Sequence, residues 1–126
     1  MNKPTILVID DDPLLGRALT ERLTQEGYDV RVAINGRDGL AQALELQPNL
    51  TFLDYMMPDL NGLDVLKALR ADERGKKLEV AFATNTYDTT VINEALSLGV
   101  HDYILKADIS LDLIADLARK YVPIEK

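Results

Sequence analysis

Short segments with the pattern of β-strands recur along the whole chain and are separated by longer segments with helical spacing. The alternating residues of Asp29–Ile34, apolar at Val30, Val32 and Ile34, indicate a half-exposed strand and hence the edge of a sheet. The other four predicted strands are short and mainly apolar, as buried strands are, and cover Ile6–Ile9, Leu50–Leu53, Leu78–Ala83 and Asp102–Leu105.

Apolar residues at helical spacing lie between these strands. The first predicted helix covers Pro13–Glu26, with Asp12 as its N-cap, Pro13 at its first position and Gly27 at its end. Four further helices are predicted from the apolar residues of segments 40–46, 63–69, 91–98 and 111–121. The chain therefore alternates strictly between five strands and five helices.

This alternation predicts an α/β fold with a parallel sheet. Parallel strands need crossover connections, the crossovers are right-handed, and the helices then cover both faces of the sheet. An edge position for the second strand favours the doubly wound order 2-1-3-4-5, a three-layer sandwich in which strands 1 and 3 are neighbours.

Composition narrows the possible functions. With 126 residues we expect one domain over positions 1–126. The net charge of −7 argues against nucleic acid as a direct partner but suits a basic partner or a cation. The sequence has no cysteine and no apolar run of membrane-spanning length, and we expect a cytoplasmic protein without a membrane partner.

Acidic residues follow two of the predicted neighbouring strands. Asp10 and Asp11 come directly after strand 1, and Asp54 comes directly after strand 3. In the order 2-1-3-4-5 these carboxylates meet at one edge of the sheet, where open α/β folds bind ligands. Like charges at one site call for a cation, and hard oxygen ligands suit Mg²⁺ (or Mn²⁺).

The last two strands end at the same edge with a hydroxyl and an ammonium group. Thr84 ends strand 4, and Lys106 ends strand 5. Lys106 can pair with a carboxylate and with a phosphoryl group, and the Thr84 hydroxyl can hydrogen-bond a phosphoryl oxygen. Each residue alone is unremarkable, and the prediction of a phosphoryl site depends on their conjunction with the acidic residues.

Four stretches carry a specific resemblance: ILVIDDDPLL, LTFLDYMMPDLNGLDVL, VAFATN and GVHDYILKAD. Together they resemble the receiver domain of two-component response regulators, in particular that of single-domain chemotaxis regulators. The resemblance covers essentially the whole chain. The family motif D-x-x-M-P-x-x-x-G is met by Asp54, Met57, Pro58 and Gly62. The resemblance implies a flavodoxin-like (βα)₅ fold.

The resemblance also implies roles for single residues. Asp54 would accept a phosphoryl group from a phosphohistidine of a sensor histidine kinase or a phosphotransfer protein. Asp11 would bind Mg²⁺ directly and Asp10 through water, and the backbone carbonyl of Met56 and the carboxylate of Asp54 would be further ligands.

Three residues on strands 4 and 5 complete the implied switch. Lys106 would pair with Asp54 and then with the phosphoryl oxygens, Thr84 would hydrogen-bond the phosphoryl group, and Tyr103 would move inward as Thr84 shifts. The family implies self-phosphorylation and slow self-dephosphorylation, which is modest enzymatic activity. A downstream protein would bind the face formed by helix 4, strand 5 and helix 5.

The sequence departs from the family at two positions. Ala107 follows Lys106, where the family usually has proline with a cis peptide bond. Because a non-proline cis bond costs roughly 2.5–4 kcal/mol, we predict either a trans bond and a reshaped loop or local strain. Asn85 follows Thr84, where the family prefers a small residue, and its side chain is predicted to narrow access to the phosphoryl group.

Two alternatives remain open from the sequence. In an aspartate-nucleophile phosphatase of the haloacid dehalogenase type, the D-x-D-x-[TV] motif follows the first strand. Asp10 and Asp12 have that spacing, but Leu14 replaces the Thr or Val, and Asp54 would have no role. The second alternative is a receiver that binds partners without phosphorylation. The sequence also leaves open whether the domain was cut from a longer regulator.

Overall fold

The computed structural model describes residues 3–124, which form one five-stranded parallel sheet with helices on both faces. The strands are β1 (Thr5–Ile9), β2 (Asp29–Ala33), β3 (Leu50–Asp54), β4 (Val80–Thr84) and β5 (Asp102–Leu105). The helices are α1 (Pro13–Glu26), α2 (Gly36–Leu46), α3 (Gly62–Ala71), α4 (Thr89–Ser97) and α5 (Leu111–Tyr121). The strand order is β2-β1-β3-β4-β5, which confirms the predicted fold class.

The sheet separates two apolar cores because side chains alternate between its faces. On one face, α2, α3 and α4 pack on residues such as Leu7, Leu53 and Phe82. On the other face, α1 and α5 pack on residues such as Val8 and Phe52. The inner strands are buried on both sides, which explains why their sequences are mainly apolar.

Each α-helix begins with a side chain that accepts a hydrogen bond from a backbone N–H of its first turn. Asp12 accepts bonds from Leu14 and Leu15, as predicted. The other four caps are Asn35, Asn61, Asp88 and Ser110. Gly27 ends α1 with a φ of 108°, a left-handed conformation that favours glycine.

Several predicted boundaries were wrong by one or two residues. β4 begins at Val80 and not at Leu78, and it includes Thr84. β2 ends at Ala33, and Ile34 is 59% exposed although the alternation placed it on the apolar side of the strand. The backbone turns toward α2 at this point, so the period-two pattern no longer applies. A 3₁₀ turn at Lys106–Asp108 was not predicted.

Candidate functional site

The carboxyl ends of β1, β3 and β5 bring two buried carboxylates and one ammonium group together. Asp10 directly follows β1 and is 4% exposed, and Asp54 ends β3 and is 3% exposed. The Nζ atom of Lys106 lies 3.1 Å from Oδ2 of Asp10 and 3.4 Å from Oδ2 of Asp54. Lys106 therefore bridges the two carboxylates across the central strands.

Backbone contacts hold both aspartates in place. The backbone N–H of Asp10 donates to the carbonyl of Ala33 on β2, at 3.0 Å. Its Oδ1 atom accepts a bond from the N–H of Asp12, at 2.9 Å. Asp54 pairs with Ala83 in the register of β3 and β4, so its position is set by the sheet.

The charges at this edge do not balance. Burial and then the neighbouring Asp10 raise the pKa of Asp54 to about 6, against the opposing attraction of Lys106. Burial lowers the pKa of Lys106, but its hydrogen bonds and attraction to Asp10 and Asp54 outweigh burial, and the net direction is upward. The single cation Lys106 thus serves two carboxylates and stays charged, while Asp54 is held in an environment that disfavours its ionised form.

A third carboxylate completes a set that suits a metal ion. One carboxylate oxygen from each of Asp10, Asp11 and Asp54 lies within 4.8 Å of the others, and Asp11 is exposed. Ligands of a six-coordinate ion with bonds of about 2.1 Å stand about 3–4 Å apart, so small side-chain rotations would suffice. An all-oxygen set that is partly open to solvent fits Mg²⁺, and a divalent cation would relieve the repulsion that raises the pKa of Asp54.

Of the other predicted site residues, Thr84 ends β4 at the same edge, Met56 lies in the loop after β3, and Tyr103 lies within β5. Thr84 is fully buried at the end of β4, and its hydroxyl accepts a bond from the N–H of Thr86 at 3.0 Å. Tyr103 lies on β5 and is 43% exposed. Met56 follows Asp54 in the loop between β3 and α3, and its side chain is 64% exposed.

The loop after Lys106 takes the first of the two predicted forms. All peptide bonds of residues 3–124 are trans, including the bond from Lys106 to Ala107. The chain continues directly into the 3₁₀ turn, which the N–H of Ile109 closes on the carbonyl of Lys106 at 3.2 Å. The side chain of Lys106 still reaches both carboxylates.

Sequence reasoning missed two residues that join distant segments, one in the loop after Asp54 and one at the opposite end of the sheet. Asp59 accepts two hydrogen bonds from the start of α2, and Arg70 donates to backbone carbonyls of two segments, the end of α4 and the connection before β4. Asp59 resembled an ordinary turn residue after Pro58, and Arg70 resembled an exposed helix residue. Neither has a local sequence signal, because their partners lie elsewhere in the chain.

The arrangement is that of a doubly wound α/β domain with an acidic cluster, which could hold a metal ion, at the carboxyl ends of its central strands. Residues 6–118 match the model of the response regulator receiver domain. The chain belongs to this family, as the resemblance implied. Among residues 3–124, no helix has the length and apolar character needed to cross a membrane.

Individual relatives agree with this assignment. The chain is 39% identical over 110 residues to the DNA-binding response regulator MtrA of Mycolicibacterium smegmatis, covering 87% of this chain and 47% of that protein. It is 37% identical to the transcriptional regulatory protein PcoR of Escherichia coli, covering 87% and 48%. The chain thus spans about half the length of the curated relatives it matches.

Solved structures extend the comparison to the fold. The receiver domain of the Francisella response regulator 1452 has a TM-score of 0.84 at 27% identity, covering 94% of this chain and 95% of that one. The Vibrio cholerae chemotaxis protein CheY4 has a TM-score of 0.85 at 21% identity, covering 95% and 99%, and supports the fold alone. The chain is therefore a response regulator receiver domain in sequence and in fold.

Proposed function

We propose that this receiver domain is phosphorylated on Asp54 in a metal-dependent reaction and that phosphorylation switches its binding to a partner. The observation that carries the proposal is the convergence of Asp10, Asp54 and Lys106 within 3.4 Å at the carboxyl edge of the sheet. The donor would be a phosphohistidine of a sensor histidine kinase or a phosphotransfer protein.

In the transfer step, an Oδ atom of Asp54 attacks the phosphorus atom of the donor. The new P–O bond forms as the P–N bond breaks, and the imidazole nitrogen keeps the electron pair and can then be protonated. The product is an acyl phosphate, which water later hydrolyses back to Asp54. Such transfers depend on positioning and on charge neutralisation at the phosphoryl oxygens.

The residues of the chain supply most of the positioning and part of the charge. Asp10, Asp11, Asp54 and the carbonyl of Met56 would hold Mg²⁺, which when bound neutralises charge on the phosphoryl oxygens. Lys106 neutralises further charge, because its Nζ lies within reach of the group that Asp54 would carry. Asp54 must be ionised to attack, and a pKa of about 6 leaves it mostly ionised at neutral pH.

The switch would use the two residues next to the site. The Thr84 hydroxyl, which now accepts a bond from Thr86, would turn to donate to a phosphoryl oxygen. That shift would free space on the inner side of β5, and Tyr103 would move inward. The state of Asp54 would thereby alter the surface of α4, β5 and α5.

This surface carries features of a binding site for a downstream protein. Large apolar side chains are exposed on it or beside it, at Tyr87, Leu96, Tyr103 and Leu111. The net charge of −7 disfavours direct contact of this domain with nucleic acid, although MtrA is named a DNA-binding regulator. The cysteine-free composition supports the predicted cytoplasmic location.

Phosphorylation is tested with acetyl phosphate as a small donor. After incubation with Mg²⁺, the intact mass should rise by one phosphoryl group in the wild type and stay unchanged in Asp54→Asn. EDTA should abolish the increase. A phosphatase of the haloacid dehalogenase type would instead keep its nucleophile at Asp10, so labelling that survives Asp54→Asn and disappears in Asp10→Asn would contradict the proposal. A receiver that works without phosphorylation would show no increase in any sample.

A further inference from the structure

The loop between β3 and α3 is attached to the start of α2 by one carboxylate. Oδ1 of Asp59 accepts a hydrogen bond from the N–H of Gly36, and Oδ2 accepts one from the N–H of Arg37, both at 2.9 Å. The side chain of Asn35 accepts a bond from the N–H of Asp38. The free N–H groups in the first turn of α2 are therefore satisfied partly from within the helix and partly from the neighbouring loop.

The close approach of the two segments depends on glycine at the first position of α2. A Cβ atom at Gly36 would lie 2.6 Å from the carbonyl oxygen of Leu60, so a larger residue would push the loop away. The hydrogen bonds from Arg37 and then Gly36 lower the pKa of Asp59 to about 2. Asp59 is thus ionised near neutral pH, so protonation does not break the attachment there.

The same loop carries a residue that the proposed function needs. Both ends of the loop are fixed by backbone bonds: the N–H of Tyr55 donates to Ala83 at 2.9 Å, and the N–H of Gly62 donates to Tyr55 at 2.7 Å. Residues 56–60 lie between these ends. Within the described part of the chain, the two bonds of Asp59 alone connect this stretch to a helix or strand by hydrogen bonding. Met56, whose carbonyl is the proposed metal ligand, lies in this stretch.

We infer that Asp59 is a positioning residue for metal binding at the phosphorylation site. By anchoring the tip of the loop to α2, it limits the motion of residues 56–60 and so keeps the carbonyl of Met56 ready for the cation. A ligand that is already in place does not have to be ordered when the cation binds, so affinity is higher. The inference rests on the proposed function, because it takes Met56 as a ligand.

The test compares Mg²⁺ affinity, measured by isothermal titration calorimetry without any phosphodonor, in the wild type and three variants. Asp59→Ala removes both hydrogen bonds, and Asp59→Asn keeps one acceptor oxygen. The matched control is Asn35→Ala, which removes the other cap of the same helix but leaves the loop attached. Outer partners of metal ligands typically contribute about 10–100-fold to affinity, and we expect a loss of about tenfold in Asp59→Ala and a smaller loss in Asp59→Asn.

The outcomes separate this inference from the proposed function. Weaker Mg²⁺ binding in the Asp59 variants, together with near wild-type binding in Asn35→Ala, would support the inference. Unchanged binding in Asp59→Ala, or an equal loss in Asn35→Ala, would overturn it, the latter because general loosening of α2 would then explain the effect. If the wild type binds Mg²⁺ but gains no phosphoryl group from acetyl phosphate, the proposed function fails while the affinity comparison still decides the role of Asp59.

Discussion

Arg70 and Asp54 lie at opposite ends of the sheet, and the surroundings of these two charged side chains differ. At the amino ends of β4 and β5, the guanidinium of Arg70 is satisfied by neutral backbone groups: Nε donates to Leu98 at 2.7 Å, and Nη1 donates to Leu78 at 2.8 Å and to Gly75 at 2.9 Å. At the carboxyl ends, Asp54 shares one lysine with Asp10 and carries a pKa raised to about 6.

The difference separates a charge that joins parts of the fold from the charges at the proposed phosphorylation site. The bonds of Arg70 tie the end of α3 to the end of α4 and to the segment before β4, and they leave its charge solvated by carbonyl dipoles. Among residues 3–124, the carboxylate of Asp54 accepts no backbone hydrogen bond and that of Asp10 accepts one, from Asp12, so a cation would add charge compensation that the chain does not supply. A bound cation is therefore expected to relieve the unfavourable environment of the Asp54 carboxylate.

The largest effect that we expect is in Asp54→Asn. The free energy of unfolding of this variant, relative to wild type, should increase as pH rises. In metal-free protein, the folded state keeps the proton on Asp54 up to about pH 6, whereas the unfolded chain loses it near 3.8. The stabilising contribution of the raised pKa is therefore complete below about pH 4 and is lost as pH rises through about 6. Two pKa units correspond to about 3 kcal/mol.

We expect the free energy of unfolding of Asp54→Asn, relative to wild type, to rise by about 3 kcal/mol between pH 4 and pH 8. Urea denaturation in EDTA at several pH values measures this difference, in which the effects of the other carboxylates largely cancel. Adding Mg²⁺ should stabilise the wild type more than the variant. A stability difference that is the same at pH 4 and pH 8 would show that Asp54 is not destabilised by its surroundings.

At the opposite end of the sheet, Arg70→Met should have the reverse sign. The variant loses the bonds to Leu98, Gly75 and Leu78 while keeping much of the apolar stem, and we expect a loss of about 2 kcal/mol in the free energy of unfolding. The control is Arg74→Met, because Arg74 is exposed and, among residues 3–124, its guanidinium pairs with Asp72 alone. The control should change stability by less than about 0.5 kcal/mol, and Mg²⁺ affinity should stay at the wild-type value in both variants.

Thr51 tests whether a buried polar group without a hydrogen-bond partner lowers the stability of the fold. It lies near the amino end of β3, and among residues 3–124 its hydroxyl is the buried side-chain group without a hydrogen bond. Thr51→Val should raise the free energy of unfolding by about 1 kcal/mol, since it removes an unsatisfied hydroxyl from the core. Thr20→Val is the control, because the Thr20 hydroxyl donates to Gly16 at 2.7 Å, and this variant should not be stabilised. A destabilised Thr51→Val would show that the hydroxyl is satisfied in solution.

The smallest effect that we expect concerns the access of a small phosphodonor to Asp54 at the carboxyl ends of the strands. Asn85 is exposed directly after the buried Thr84, and we expect Asn85→Ala to take up the phosphoryl group from acetyl phosphate severalfold faster. A severalfold change in rate corresponds to less than about 1.4 kcal/mol in the barrier. Because Asn85 is exposed, the free energy of unfolding should stay unchanged. Initial rates of phosphorylation measure the effect. Equal or slower uptake would mean that the Asn85 side chain does not restrict small donors.

Periodicity, combined with the known topology of doubly wound sheets, was sufficient for the order of the strands and the approximate positions of the helices. The mainly apolar inner strands and the alternating Asp29–Ile34 predicted the order β2-β1-β3-β4-β5, which the structure confirms. Once that order is known, Asp10, Asp11 and Asp54 must meet, because parallel strands end at the same edge. The bridging position of Lys106 and the raised pKa of Asp54 did not follow, since both depend on side-chain distances and burial.

The sequence by itself therefore determined the fold, the set of acidic residues and the family, because these depend on local patterns and on residue types at known spacings. Only the tertiary structure decided which groups are satisfied. Asp59 reaches α2, and Arg70 reaches the end of α4, across 22 or more residues of chain. A hydrogen bond needs donor and acceptor within about 3 Å, and no periodicity in the sequence encodes a distance between residues so far apart.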